Sequence, residues 1–172
     1  AAPSSLSASC SKELQFATPE LRPYFYRTED GKIEGLDAEI LDRVMTAAGC
    51  QYQLQIVTWK RALQGVRFGT VDGTMNASWT KAREAFALYS VPYRMENIVM
   101  FVRRSDLAFY KFQQLADILA YRLNIGMTLG SWYGQEFDKL YTADAQFRRR
   151  VLQTSEEALL LSWLPARRID LA

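Results

Sequence analysis

The chain has 172 residues, 49% of them hydrophobic, enough for one or two modest domains with a proper core. Its formal net charge is only +2 and the charges are mixed along the chain, which argues against a nucleic-acid-binding module with a basic face. There is no histidine, no run of about twenty apolar residues, no Cys-x-x-Cys, no Walker loop and no Gly-x-Gly-x-x-Gly. These absences exclude histidine triads, histidine-ligated metals and a membrane-spanning helix within the sequence.

The opening Ala1-Ala2-Pro3, with the Ser/Ala-rich lead after it, reads as a mature end left by signal-peptide removal. Residues 14–17 read as a first short strand. A polar loop follows, with aromatics at Pro23-Tyr24-Phe25-Tyr26. The spacing of Leu36, Ile40, Leu41, Val44 and Met45 predicts an amphipathic helix over 36–48. Asp37 and Glu39 lie in its first turn, where they complement the dipole, and Gly49 is placed as its left-handed cap. Residues 51–57 then alternate, with Gln51, Gln53 and Gln55 on one side and Tyr52, Leu54 and Ile56 on the other. A central parallel strand is apolar on both faces, so this one reads as an edge, the second strand of a 2-1-3 order. Cys10 and Cys50 stand just before the two strands. If those strands are adjacent and parallel, both cysteines lie at one end of the sheet and can form a disulfide, which suits an oxidising compartment. Two unrelated buried thiols is the other reading.

A second helix is predicted over 59–68, with Trp59, Ala62, Leu63 and Val66 on one side, ending near Gly69. Residues 71–76 read as a third strand, 80–87 as a helical turn, and 97–103 as a strongly apolar strand. From Ser105 the pattern restarts with a helix over 115–121 and a strand over 123–127. A helix over 131–140 follows, with Ser131 as its N-cap. Arg148-Arg149-Arg150 reads as the exposed approach to a strand over 150–153 rather than a phosphate site. Thr154 to Glu157 has the spacing of a capping box, with a helix running to Leu164 before Pro165. Residues 169–171 begin another strand. Strand and helix alternate throughout, so the fold class is α/β.

The most chemistry lies in the run Val71-Asp72-Gly73-Thr74-Met75-Asn76-Ala77-Ser78-Trp79-Thr80-Lys81-Ala82-Arg83-Glu84. A strand-like segment leads into small polar residues, and an arginine follows five residues after a serine. The backbone and Ser78 supply short donors, while Arg83 supplies a planar, permanently charged fork. The set suits a carboxylate. A lone Thr-x-x-Arg is also common on solvated helical turns, so the neighbouring segments matter.

Six further segments, in order, resemble the type 2 periplasmic solute-binding proteins of polar amino-acid ABC importers. They are Pro23-Tyr24-Phe25, Gly35-Leu36-Asp37-Ala38-Glu39-Ile40-Leu41, Trp59 with Ala62-Leu63, Phe68 to Gly73, Ser90-Val91-Pro92-Tyr93, and Ile125-Gly126-Met127 through Gly130-Ser131-Trp132-Tyr133-Gly134. The chain departs from the family pattern at Ala77, where glycine is usual, and at Lys81, where proline is common.

The resemblance implies the two-lobed type II periplasmic binding protein fold, closing on a ligand. Lobe 1 would span residues 10–97, a hinge crossover 98–104, and lobe 2 residues 105–172. Lobe 2 would be incomplete at the C-terminus, because the family continues past the counterpart of Asp170-Leu171-Ala172. An acidic residue for a ligand ammonium and a strand returning to lobe 1 come after that point.

The resemblance further implies non-enzymatic binding of a small carboxylate-bearing polar solute, an amino acid, for delivery to a membrane ABC permease from the periplasm. No cofactor, metal or nucleic acid is expected. Arg83 would hold the carboxylate, and Asn76 and Ser78 would hydrogen-bond the ligand. Ser131 and the amides before the helix at Trp132 would meet the same carboxylate. Tyr24, Trp59 and Trp79 would wall the pocket, with ordinary core packing the alternative for each aromatic. A ligand-sensing domain of a signalling receptor, and a dehydratase-type enzyme on the same fold, are the other functions this resemblance allows.

Overall fold

The computed structural model describes residues 10–172, so the Ala1-Ala2-Pro3 lead lies outside the described residues. The chain divides after Ser90 into two units. In the first, strand β1 (Leu14–Thr18) is followed by a short antiparallel pair, β2 (Tyr26–Arg27) and β3 (Ile33–Glu34). Helix α1 (Leu36–Ala48) leads to strand β4 (Tyr52–Ile56), which pairs with β1 in parallel, Leu14 opposite Tyr52 and Thr18 opposite Ile56. On the other side of β1, Phe16 makes a parallel bridge to Gly73, and the Ala17 amide donates to the Gly73 carbonyl at 3.1 Å. The order is therefore the expected 2-1-3. Strand β4 is the edge, with Tyr52, Leu54 and Ile56 half-buried and Gln53 and Gln55 exposed.

The third strand expected over 71–76 contracts to that single bridge. Asp72 takes over the work of a ladder: its amide donates to the Gln15 carbonyl at 2.7 Å, and its carboxylate accepts from the Gln15 amide at 2.9 Å and from Lys12 Nζ. A side chain has replaced strand pairing, which a period of two cannot reveal. Cys10 and Cys50, at the leading ends of the paired strands, are joined by a disulfide with their Cα atoms 5.1 Å apart.

Helix α1 begins and ends where its sequence predicts. Gly49 caps it at φ 66°. Gly35 precedes it at φ 129°, where an added Cβ would lie 2.1 Å from the Tyr24 carbonyl oxygen; only glycine fits against that loop. Of the predicted apolar face, Leu41 is buried and Ile40 and Met45 are half-buried, while Leu36 and Val44 stay exposed. Helix α2 (Trp59–Phe68) puts Trp59 and Ala62 against Ala17 and Val71 to form the first core.

The second unit repeats the arrangement. A 3₁₀ helix (Leu115–Tyr121) precedes strand β5 (Ile125–Thr128), which pairs in parallel with β6 (Val151–Thr154) and takes a bridge from Leu171 at Ile125 on its other side. Its main core is Ile118, Leu123, Ile125, Met127, Phe137, Phe147 and Leu171. Leu160, Leu164 and Ile169 form a smaller cluster. Arg103 ties the end of this unit together. It meets Asp106 at 2.6 Å and Asp170 at 2.7 Å, and donates to the carbonyls of Leu164 and Ile169.

Three expectations differ here. The apolar run 97–103 is not a strand; within it, Phe101 exchanges both backbone hydrogen bonds with Ala172. Ser131 does not cap a helix. Its amide donates to the Thr128 carbonyl at 3.1 Å, and the Thr128 amide bonds the Tyr133 hydroxyl at 2.8 Å. Those bonds hold 129–133 as a loop, so α4 (Gln135–Ala143) starts after Gly134. The basic run closes α5 (Ala145–Arg149), a helix capped by Asp144, and leads directly into β6, as the expected exposed approach to a strand. Thr154 Oγ1 accepts from the Glu156 amide at 3.1 Å, one residue short of a capping box. Helix α6 (Glu157–Trp163) therefore begins with Glu157 as its first residue.

Hydrogen bonds hold five carboxyl groups among the described residues below their ordinary value of 3.8, Asp30 through Thr28 and then Lys32. Lys12 and then the Gln15 amide lower Asp72; Ser105 and then Arg103 lower Asp106; the Gln113 and Gln114 amides lower Asp117; and the Phe147 and Gln146 amides lower Asp144. Each group therefore binds its proton less tightly in the folded chain than in the unfolded one. Their contribution is complete above the ordinary carboxylate value and is lost as the pH falls through the lowered values. The melting temperature followed by circular dichroism is expected to hold between about pH 7 and 5 and to fall below about pH 4. The double variant Asp117→Asn, Asp144→Asn should start lower and lose less over that acid range.

Candidate functional site

The run after Gly73 folds around one arginine. Asn76 sits at φ 61°, in the left-handed region that asparagine tolerates better than most residues. It turns the chain so that Ser78 and Thr80 precede a short helix, α3 (Lys81–Glu84). Thr80 is its N-cap, and its hydroxyl accepts from the Arg83 amide at 3.2 Å. The Thr-x-x-Arg spacing thus has a local cause: the threonine caps the turn that carries the arginine at its third position.

Arg83 is 8% exposed, unusual for a permanently charged side chain. Its Nη1 donates to the Ser78 carbonyl at 2.7 Å, and its guanidinium carbon lies 5.4 Å from the centre of the Trp59 ring. The same Ser78 carbonyl accepts from the Tyr89 hydroxyl at 3.1 Å. A buried guanidinium laid over an aromatic face and fixed by a backbone carbonyl is a rigid, oriented cation. A group so placed has the charge and the donor geometry to pair with a planar anion.

Trp59 is only 6% exposed and belongs to the first core, so its place is beneath the guanidinium. Trp79 is 56% exposed. Tyr24 is half-buried on the loop after β1, its carbonyl accepting from the Asp37 amide at 3.1 Å. The structure therefore joins Ser78 and Trp59 each to Arg83, with Trp79 adjacent to Ser78 in the chain and Asn76 two residues before it. Ser131 and Trp132 are half-buried in the second unit, on the loop between β5 and α4. Tyr89 escaped sequence reasoning because nothing in its spacing ties it to Ser78, eleven residues earlier.

A sequence model described as bacterial extracellular solute-binding proteins, family 3, matches residues 14–163. A search of curated proteins found no match. Among solved structures, the chain is similar to a histidine kinase sensor domain with similarity to periplasmic binding proteins (TM-score 0.79, 18% identity, 94% of this chain and 67% of that one). It is also similar to an ancestral arginine-binding protein bound to arginine (TM-score 0.75, 17% identity, 95% and 68%). A third similar structure is the amino acid ABC transporter substrate-binding protein AbpA from Streptococcus pneumoniae, bound to L-arginine (TM-score 0.74, 23% identity, 92% and 65%). At these identities the likeness concerns the fold, which is the α/β, type II periplasmic binding protein fold.

Proposed function

The chain belongs to the bacterial extracellular solute-binding proteins, family 3, and on that premise we propose that it binds a small carboxylate-bearing solute, an amino acid, without transforming it. The observation that carries this reading is Arg83. Its guanidinium is buried, stacked over Trp59 and oriented by the Ser78 carbonyl, as capture of a carboxylate requires. Ser78 and Asn76 supply further polar contacts, and Tyr24 and Trp79 supply aromatic surface. Ser131 and Trp132 are the candidate contacts of the second unit. The proposed lobes span residues 10–97 and 105–172, with 98–104 as the crossover.

No helix among the described residues is long and apolar enough to cross a membrane. We place the protein in the periplasm, after removal of a signal peptide, where it would hand its ligand to an ABC permease. The disulfide and the family description support that placement. The likeness to a histidine kinase sensor domain favours a second reading, in which the bound ligand is reported rather than delivered.

Calorimetric titration with a panel of L-amino acids tests the proposal. One or a few should give saturable, one-to-one binding, and mass spectrometry should return the solute unchanged. No binding across the panel rejects an amino-acid ligand, and a new product rejects the non-enzymatic reading.

A further inference from the structure

We propose that Tyr89 is a positioning residue for the carboxylate site: its hydroxyl fixes the carbonyl that aims the Arg83 guanidinium, a role that rests on the reading of Arg83 as the partner of a ligand carboxylate. A carbonyl oxygen carries two lone pairs. That of Ser78 accepts from Arg83 Nη1 at 2.7 Å and from the Tyr89 hydroxyl at 3.1 Å, so its usual capacity is filled from within the chain. The two donors arrive from different places, one inside α3 and one beyond it. Helix α3 is only four residues long, far below the length at which a helix holds itself. Its shape comes from local bonds. Thr80 caps it through the Arg83 amide at 3.2 Å, and the Phe86 and Ala87 amides both donate to the Arg83 carbonyl at 3.0 Å. Ser78 then ties that turn to the chain before it. Arg83 reaches back five residues and Tyr89 eleven, and the segment closes on one oxygen.

Aiming a guanidinium takes two constraints. The Trp59 ring, 5.4 Å from the guanidinium carbon, holds the cation against a flat face, but such a face lets a cation slide across it. The hydrogen bond to the Ser78 carbonyl supplies a direction. With Arg83 alone on that oxygen, the Ser78–Trp79 peptide would turn together with the side chain it orients. A second donor from a separate segment removes that freedom. A bidentate pair needs the direction, because two N–H bonds must meet two carboxylate oxygens at once. A loosely held partner has to be ordered on binding, which weakens affinity. The Tyr89 side chain is half-buried and its one hydroxyl proton is spent on Ser78, so it holds the fork without having to touch the ligand.

Tyr89→Phe removes that hydroxyl and little else. Calorimetric titration with the panel of L-amino acids should show the member that binds the parent binding this variant about fivefold more weakly, the size of one neutral hydrogen bond. Melting curves confirm that the variant is folded. A merely structural role would weaken binding by the same factor whatever stands at position 83, so a double-mutant cycle separates the two. Arg83→Lys keeps the cation but has no planar fork to aim. In that background Tyr89→Phe should change Kd by less than about twofold. A further readout needs no ligand. In the free protein the Arg83 guanidinium protons, followed by NMR, should exchange with water several-fold faster in Tyr89→Phe than in the parent. A parent that binds no amino acid rejects the ligand reading, and guanidinium exchange then decides by itself whether Tyr89 holds Arg83. Tyr89→Phe binding as tightly as the parent overturns the proposal. So does an equal loss in both backgrounds, or guanidinium exchange that the variant leaves unchanged.

Discussion

Arg83→Ala is expected to abolish amino-acid binding at concentrations that saturate the parent protein. The ligand carboxylate would lose its charged, hydrogen-bonded partner in a mostly dry setting. Truncating one member of such a pair costs about 3–5 kcal/mol, or roughly two to three and a half decades in Kd. The loss should act through recognition more than through folding. The Ser78 carbonyl keeps the Tyr89 hydroxyl, and Trp59 keeps its place in the core with Ala17, Ala62 and Val71. Arg83→Lys separates charge from shape. It retains the cation but gives up the planar fork over Trp59, and should bind at an intermediate affinity. Calorimetry of both variants beside the parent decides the point. An Arg83→Ala protein of unchanged affinity would remove Arg83 from the site.

The second large effect belongs to the disulfide. Cys10 and Cys50 are 40 residues apart, and opening a loop of that length restores about 4 kcal/mol of unfolded-state freedom in the chain-entropy account. For a unit of this size, that corresponds to a fall in melting temperature on the order of 15 °C or more. The effect should be confined to the first unit, because the second contains no cysteine. Scanning calorimetry with and without reductant should show one transition moving and the other staying. Cys10→Ser, Cys50→Ser should reproduce the reduced trace, while labelling of the oxidised parent finds no thiol. Thiols that label freely without reductant would refute the bridge.

The parts of the fold written in side-chain periodicity were legible in advance. Helices α1 and α2 match the ranges read from the sequence, because the spacing of their apolar residues and a glycine cap at each C-terminus specify them locally. The edge position of β4 was legible for the same reason, in three glutamines against Tyr52, Leu54 and Ile56. What failed depends on partners that are distant or unexpected. The 71–76 strand reduces to one bridge because the Asp72 carboxylate occupies the Gln15 amide that a strand would have used. The helix at Ser131 starts four residues later because the Tyr133 hydroxyl claims the Thr128 amide.

At the site, the arginine and its capping threonine could be read from spacing. The support beneath them could not. That Trp59 lies under Arg83 is a tertiary fact, and so is the Tyr89 hydroxyl on the Ser78 carbonyl.

The matching strand orders of the two units bear on how the chain folds. In each, two parallel strands meet only after an intervening stretch with at least one helix has looped back, so both sheets rest on long-range contacts, which form slowly. Closing such a loop is an entropic search. In the oxidised chain the first unit begins with that search finished, because the bridge already tethers the leading ends of β1 and β4. The second unit has no tether and must find β5 and β6 unaided. The two halves, built to one plan, thus differ in when they become native: the first leads, for a reason that lies in the unfolded state rather than in a better core.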